Sequence, residues 1–165
     1  KGVTFNRCYR IMKDGNIIAE AASVWALIDT NERKLRRVND VELNYGEDAP
    51  LELDAPTRFR IPSEVELTLA GERLVEYADC DLNGHMNNTR YPDMVCDYLP
   101  EGVVGRIHTM HLEFVREAKF GSTLRVMRGE RTSEQGDTIY LVQTVDEQGE
   151  VCLAAEVWVG EMQEG

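Results

Sequence analysis

The strongest constraint on how this chain can fold lies between Asn88 and Val159: one short helical run, then four strand-like runs cut apart by glycine-bearing turns. Tyr91, Met94, Val95 and Tyr98 recur at i, i+3, i+4 and i+7, which places them on one face of a helix from about Asn88 to Tyr98. Asn87 or Asn88 can cap its first turn, and Pro92 falls where a missing N–H costs least. Pro100 and Gly102 stop it. The strands expected beyond it are His108 to Val115, Thr123 to Arg131, Thr138 to Val145 and Val151 to Val159, with Gly121, Gly136 and Gly149 in the turns. A strand from Arg73 to Ala78 is expected before the helix. Strand, helix, then four antiparallel strands is an α+β order, with one helix laid on a curved sheet.

The N-terminal part is separate. Val3 to Met12 and Ile17 to Ile28 flank Lys13-Asp14-Gly15-Asn16, and Asp-Gly between two apolar runs is a hairpin signal. Asp29 to Asp40 is charged and reads as a turn or short irregular stretch. Residues 46–63 hold Gly46, Asp48, Pro50, Asp54, Pro56 and Pro62, a density of breakers that makes a linker. A second unit then starts near Glu64. Residues 1–28 echo residues 137–160, with Trp25 and Trp158 in similar places near the end of the last strand. Two copies of one fold, the first lacking its beginning, would explain the echo. The chain starts at Lys1 without a Met; either it starts late, with residues upstream, or the first repeat is a shortened version.

Composition closes off several classes. The 165 residues suffice for one ordinary domain or two small ones with a shared core. With 42% hydrophobic and 29% charged residues, the chain is globular and not disordered. Its longest mostly apolar stretch, Ile17 to Ile28, is interrupted by Glu20 and Ser23 and falls short of the roughly 20 residues of a membrane helix. No N-terminal segment reads as a signal peptide. The net charge of −12 disfavours nucleic acid, whose binding needs a basic face. The one dense basic cluster is Arg33, Lys34, Arg36 and Arg37, either a solvated turn or a docking patch for an acidic partner. Cys8, Cys80, Cys96 and Cys152 are widely spaced, as reduced cytosolic thiols would be. There is no GxGxxG and no P-loop, and no cofactor is expected. His108 and His111 would point to opposite faces of a strand, so no metal site is expected from them.

The residues that can carry chemistry are Asp81, Asn83 and His85. In an extended segment their side chains share a face, about 6.6 Å apart along the chain. An acid, an amide and an imidazole would then converge. Gly84 permits a turn after Asn83, and the free N–H groups of the following helix favour developing negative charge. Asx-rich loops with Gly are also ordinary turns and caps, and for Asn87 and Asn88 capping is the better reading. Cys80 could be a nucleophile beside His85, but it is out of phase with the three.

The run Asp79-Cys80-Asp81-Leu82-Asn83-Gly84-His85-Met86-Asn87-Asn88, with Tyr91 one turn on, resembles the signature of acyl-acyl carrier protein thioesterases, an Asp-x-Asn-x-His segment before the central helix of a hotdog fold. Phe114-Val115-Arg116-Glu117-Ala118, then Gly121, resembles a second block of that family. Ala22-Ser23-Val24-Trp25, followed by Arg33 to Arg37, is similar to the end of its first hotdog repeat.

The resemblance implies an antiparallel sheet wrapped around a central helix: residues 1–45 as the C-terminal strands of a first repeat, 46–63 as a linker and 64–165 as a complete second repeat. It implies hydrolysis of acyl-acyl carrier protein to free fatty acid, in fatty acid biosynthesis; the thiols add a cytoplasmic setting as an expectation. Asp81, Asn83, His85 and Glu117 match the family's catalytic positions. Plant members carry a Cys directly after that Glu, where this chain has Ala118. Water attack is therefore implied, with Glu117 as general base or water-orienting group, Asn83 and His85 holding the thioester carbonyl, and Asp81 orienting its neighbours. A Glu base works best where a partly apolar pocket raises its pKa. The implied partner is acyl carrier protein; an acyl-CoA thioesterase and a non-catalytic acyl-binding module are the alternatives. A shortened first repeat would leave strand edges unpaired, so self-association into a homodimer is expected.

Overall fold

The computed structural model describes residues 2–29, 31–32, 34–41, 51, 53 and 58–160. They fall into two compact units, residues 1–57 and 58–165.

In the first unit Thr4–Lys13 (β1) and Asn16–Ile28 (β2) pair antiparallel, with Lys13 opposite Asn16. Asp14 and Gly15, between them, have φ of 51° and 81°, the positive pair that a two-residue type I′ turn requires. The hairpin expected from Asp-Gly is present. Leu35–Arg36 (β3) adds to β2 through the pairs Leu27–Arg36 and Ile28–Leu35, a short strand inside a stretch expected to be irregular. Its cause is Asp29. That carboxylate accepts the N–H groups of Asn31 and Glu32, both at 2.9 Å, and binds the Arg36 guanidinium at 2.6 Å, so the chain folds back onto β2. The N–H of Glu32 and the Arg36 side chain lower the Asp29 pKa to about 2. In the basic cluster, Arg36 thus has Asp29, and Lys34 lies 3.5 Å from Glu32; Arg33 is outside the described residues. So are residues 46–50, 52 and 54–57 of the expected linker.

The second unit contains Thr68–Leu74 (β4), Arg90–Asp97 (α1), Ile107–Phe114 (β5), Thr123–Thr132 (β6), Thr138–Val145 (β7) and Val151–Val159 (β8). They form one antiparallel sheet in the order β4-β6-β7-β8-β5. The helix buries Tyr91, Met94 and Val95 in a core with Leu124 and Val126 of β6, Tyr140 and Val142 of β7, and Leu153, Ala155 and Val157 of β8. This is the expected α+β architecture, the hotdog arrangement of a sheet around one helix. Strand β7 is buried on both faces. Tyr140, Val142 and Thr144 alternate with Ile139 and Leu141, which have no exposed surface. The second face is covered in part by residues before β4: the Phe59 ring lies 5.5 Å from that of His111 on β5, and residues 65–67 cross β6 at Gly129.

One expected element is displaced. The strand placed at Arg73 to Ala78 ends at Leu74, and Tyr77–Asp79 is a 3-10 turn. Val75 is fully buried, and its backbone carries the pairing one step past Leu74, its N–H donating to the Ser122 carbonyl and its carbonyl accepting the Gly121 N–H, both at 2.9 Å. The turn closes where the Asp79 carboxylate accepts the Glu76 N–H at 3.0 Å. The strand starts at Thr68, before the expected Arg73, and runs through Gly71. There β4 shifts register against β6, and the Tyr98 ring covers the bare Cα while its hydroxyl donates to the Glu72 carbonyl at 2.6 Å. The two Trp residues behave alike in their separate hairpins. Trp25 faces Phe5, the second residue of β1, and Trp158 faces Ile139, the second residue of β7.

A Cβ on Gly129 would stand 2.5 Å from the Glu66 carbonyl oxygen and 2.9 Å from the Leu67 and Val65 side chains. Backbone, not a flexible side chain, would have to move. Gly129→Ala is therefore expected to destabilise the second unit by about 1–3 kcal/mol, read as a lower denaturation midpoint. A melting curve superimposable on the parent's would refute this close crossing.

Candidate active site

After the 3-10 turn the chain makes a tight hairpin. Cys80 bridges to Met86, the Asp81 N–H donates to the His85 carbonyl at 2.9 Å, and the Gly84 N–H donates to the Asp81 carbonyl at 3.1 Å. Gly84 has φ of 75°, a conformation costly for residues with a Cβ. The segment is thus not the extended strand that period two suggested. What brings Asp81 and Asn83 together is an Asx turn: Asp81 Oδ1 accepts the Asn83 N–H at 2.8 Å, and Oδ2 accepts Asn83 Nδ2 at 3.3 Å. Short polar side chains bond their own backbone two residues on in this way. These bonds, the Asn83 N–H first, lower the Asp81 pKa below its ordinary carboxylate value, so Asp81 is an anion at neutral pH.

The far arm of the hairpin pairs with the segment that follows β5. Met86 N–H donates to the Ala118 carbonyl at 2.8 Å, Phe120 N–H donates to the Gly84 carbonyl at 3.1 Å, and His85 bridges to Lys119. This short ladder sets Glu117 beside His85. Glu117 Oε2 lies 3.3 Å from His85 Nδ1, with side chains 76% and 25% exposed respectively. Two blocks more than thirty residues apart in sequence therefore meet in one side-chain contact. Ala118, between Glu117 and Lys119, turns inward and is buried. The partly apolar surround in which a glutamate base works best is not supplied around Glu117 by the described residues.

Asp81 and Asn83 also line an open depression of about 660 Å³, with Tyr77, Cys80, Leu82, Gly84, Asn87 and Phe120. Its rim is apolar: Leu82, Tyr77 and Phe120 are all well exposed. These three were not singled out from sequence. Only their exposure marks them, and exposure has no signal in a lone Leu or Phe. Asn87 holds the approach to α1, its Oδ1 accepting the Thr89 N–H at 3.0 Å and the Thr89 hydroxyl at 2.9 Å. The residue at the helix cap is Thr89, so Asn87 acts two residues before the cap. Tyr91 seats the helix as expected. It is buried, burial pushes its phenol up to about 12, and its ring meets the edge of Phe114 at 5.5 Å.

Cys80 is poorly placed as a nucleophile. Burial first, then the Asp79 and Asp81 carboxylates, raise its pKa, and its Sγ donates to the Glu76 carbonyl at 3.4 Å. The thiolate, not the thiol, is the reactive form. His108 and His111 have different neighbours: Asp137 at 3.9 Å for the first, Glu156 at 3.7 Å for the second.

Comparison with known proteins bears on both units. The family described as the acyl-ACP thioesterase C-terminal domain matches residues 64–159. A chloroplastic acyl-[acyl-carrier-protein] hydrolase of Cuphea viscosissima is 25% identical over 130 residues, covering 74% of this chain and 32% of the relative. An acyl-ACP thioesterase from Bacteroides thetaiotaomicron superposes with a TM-score of 0.77 at 28% identity, over 96% of this chain and 63% of that one. A 12:0-ACP thioesterase from Umbellularia californica gives a TM-score of 0.65 at 21% identity, covering 94% of this chain and 60% of that one, a likeness of fold. The chain spans about a third of the curated relative and less than two thirds of either solved structure.

Because its pKa is raised, Cys80 should alkylate with iodoacetamide at pH 7 more slowly than a free thiol of ordinary pKa. Mass spectrometry of the modified peptide gives the rate. Labelling as fast as a low-pKa thiolate would contradict the assignment.

Proposed function

The chain belongs to the acyl-ACP thioesterase family through its C-terminal domain, and we propose that it hydrolyses acyl-acyl carrier protein to free fatty acid and the carrier thiol. The observation that carries this reading is the His85–Glu117 contact at 3.3 Å, made across the ladder between the Asp-x-Asn-x-His hairpin and the segment after β5. It joins the two sequence blocks that resemble the family's catalytic positions.

The chemistry asks for three things. A water must be activated, the carbonyl oxygen must be held as it becomes an oxyanion, and the reacting groups must be kept in place. Glu117 is assigned the first task, as general base or as the group that orients the water. Asn83 and His85 are assigned the second. His85 can donate from one ring nitrogen while the other faces Glu117, so the carboxylate also selects the tautomer. Asp81 is assigned the third, and its hold on both the N–H and the side-chain amide of Asn83 supports that role. Glu117 is open to solvent before substrate arrives. An acyl thioester lying over Leu82, Tyr77 and Phe120 would exclude water and supply the apolar surround the base needs. Ala118 leaves no thiol beside Glu117, which supports direct attack by water.

The same reading assigns residues 1–45 to the last strands of a first hotdog repeat, 46–63 to a linker and 64–165 to the second repeat. The matching Trp pairings in β1–β2 and β7–β8 support it. Acyl carrier protein is the proposed partner and fatty acid biosynthesis the proposed setting. Among the described residues no helix is long and apolar enough to cross a membrane, and we place the protein in the cytoplasm on its four unpaired thiols. Self-association through open strand edges is proposed as well; a strictly monomeric mass in light scattering would remove it.

Glu117→Gln is expected to lower kcat for acyl-acyl carrier protein by about 100-fold or more, within the range for loss of a general base, with an unchanged melting curve. Full activity in that variant would overturn the mechanism. Rates on acyl-carrier-protein and acyl-CoA substrates of the same chain length separate the two substrate readings, with the carrier protein expected to be preferred.

A further inference from the structure

The groups that touch the reacting atoms hang on a hairpin whose neck is held from outside it. Asp79 is buried, at 5% exposed, one of the few polar residues in the interior of the second unit. Both oxygens of its carboxylate are engaged: Oδ1 accepts from Arg73 Nη2 at 2.7 Å, and Oδ2 accepts the Glu76 N–H at 3.0 Å. Its backbone carbonyl accepts the Asn87 N–H at 2.8 Å. Residue 79 is thus the point where β4, the 3-10 turn and the approach to α1 are tied together. Cys80 and Met86 close the next rung, and Asp81 and His85 the one after. Everything between, including Asp81, Asn83 and His85, is carried by this neck.

The orientation of the hairpin matters because Glu117 does not belong to it. Glu117 arrives on the segment after β5 and meets His85 only if the two arms stay in register. A tilt at the neck would move His85 and Asn83 together, away from Glu117, while leaving the Asx turn within the hairpin intact. Arg73 is well suited to prevent that tilt. It sits on β4, locked against Leu124 of β6, and its guanidinium is a planar, permanently charged donor. Its Nε is buried with no hydrogen-bond partner among the described residues, so the side chain forgoes one bond to make the one to Asp79.

We propose that the Arg73–Asp79 pair positions the catalytic hairpin: Asp79 is a positioning residue for thioester hydrolysis, and Arg73 is the group that holds it. The proposal rests on the assignment of Asp81, Asn83, His85 and Glu117 to the reaction. It separates from a plain stabilising ion pair because the loss should appear in the chemical step. Misplacement of reacting groups by a fraction of an ångström to an ångström lowers rates by about 10- to 100-fold without touching the contacts that bind the rest of the substrate.

The test uses the full chain with acyl-acyl carrier protein as substrate. Arg73→Gln, on a side chain one-third exposed, removes the charge. The expected result is a cooperative melting transition, a kcat about 10- to 100-fold down, and a KM within twofold of the parent. Arg73→Lys, which keeps the charge, should recover a large part of kcat, and the His85 ring nitrogen signals in NMR should shift in Arg73→Gln and return toward the parent's in Arg73→Lys. A kcat within twofold of the parent in Arg73→Gln overturns the proposal, as does a rise in KM alone. If Arg73→Gln fails to fold, Asp79→Asn carries the same expectations, and if both fail to fold the pair is structural and the proposal is wrong. Glu117→Gln runs alongside. If it is fully active, the site assignment falls; if it is inactive while Arg73→Gln is normal, only the positioning role falls.

Discussion

An eight-residue helix does not stand in water without help, and α1 is eight residues long. What holds it is the burial of Tyr91, Met94 and Val95 against the inner faces of β6, β7 and β8. Each such side chain contributes on the order of 1.5–3 kcal/mol when fully removed from water, far more than the helix gains from its own propensity. The sheet needs the helix in turn. Val142, Leu153, Ala155 and Val157 have no exposed surface, and without α1 they would form an open apolar face. Helix and sheet are therefore one cooperative object, and the loops that carry the polar groups are fastened to it.

That fastening explains the distribution of charge. The chain carries −12 overall, yet several carboxylates near the hairpin are committed to specific donors. Asp79 holds Arg73 and the Glu76 N–H, and Asp81 holds Asn83 twice. Glu117 is different. Its carboxylate lies beside His85, and most of its side chain faces solvent. A carboxylate left open in this way keeps acceptor capacity that the satisfied ones have already committed.

The sequence reading and the structure part company at identifiable places. Where burial imposes a simple period, the two agree: α1, β6, β7 and β8 lie within two residues of expectation, and β7 and β8 coincide with it. Where apolar residues continue past the end of a strand, they diverge. Val75 and Tyr77 suggested strand, but one is core and the other an exposed rim residue on a 3-10 turn. The strand also starts before Arg73, with Gly71 a bulged position under Tyr98. Alternation through Asp81, Asn83 and His85 suggested a flat face; the Asx turn and positive φ at Gly84 supply a folded one.

The composition of the proposed reactive set could be read from the linear chain, because acid, amide and imidazole types and the turn-permitting Gly84 are local properties of one segment and of its resemblance to a family. The type I′ hairpin at Asp14-Gly15 and the single helix were legible for the same reason, since backbone preference and a period act within a few residues. What only the tertiary structure decided is how the pieces meet. The pairing of the hairpin with residues 118–120 sets Glu117 beside His85, and the reach of Arg73 from β4 to Asp79 fixes the neck. The first joins segments more than thirty residues apart, whose meeting carries no local signal; the second spans only six residues but depends on where β4 stops and the chain turns.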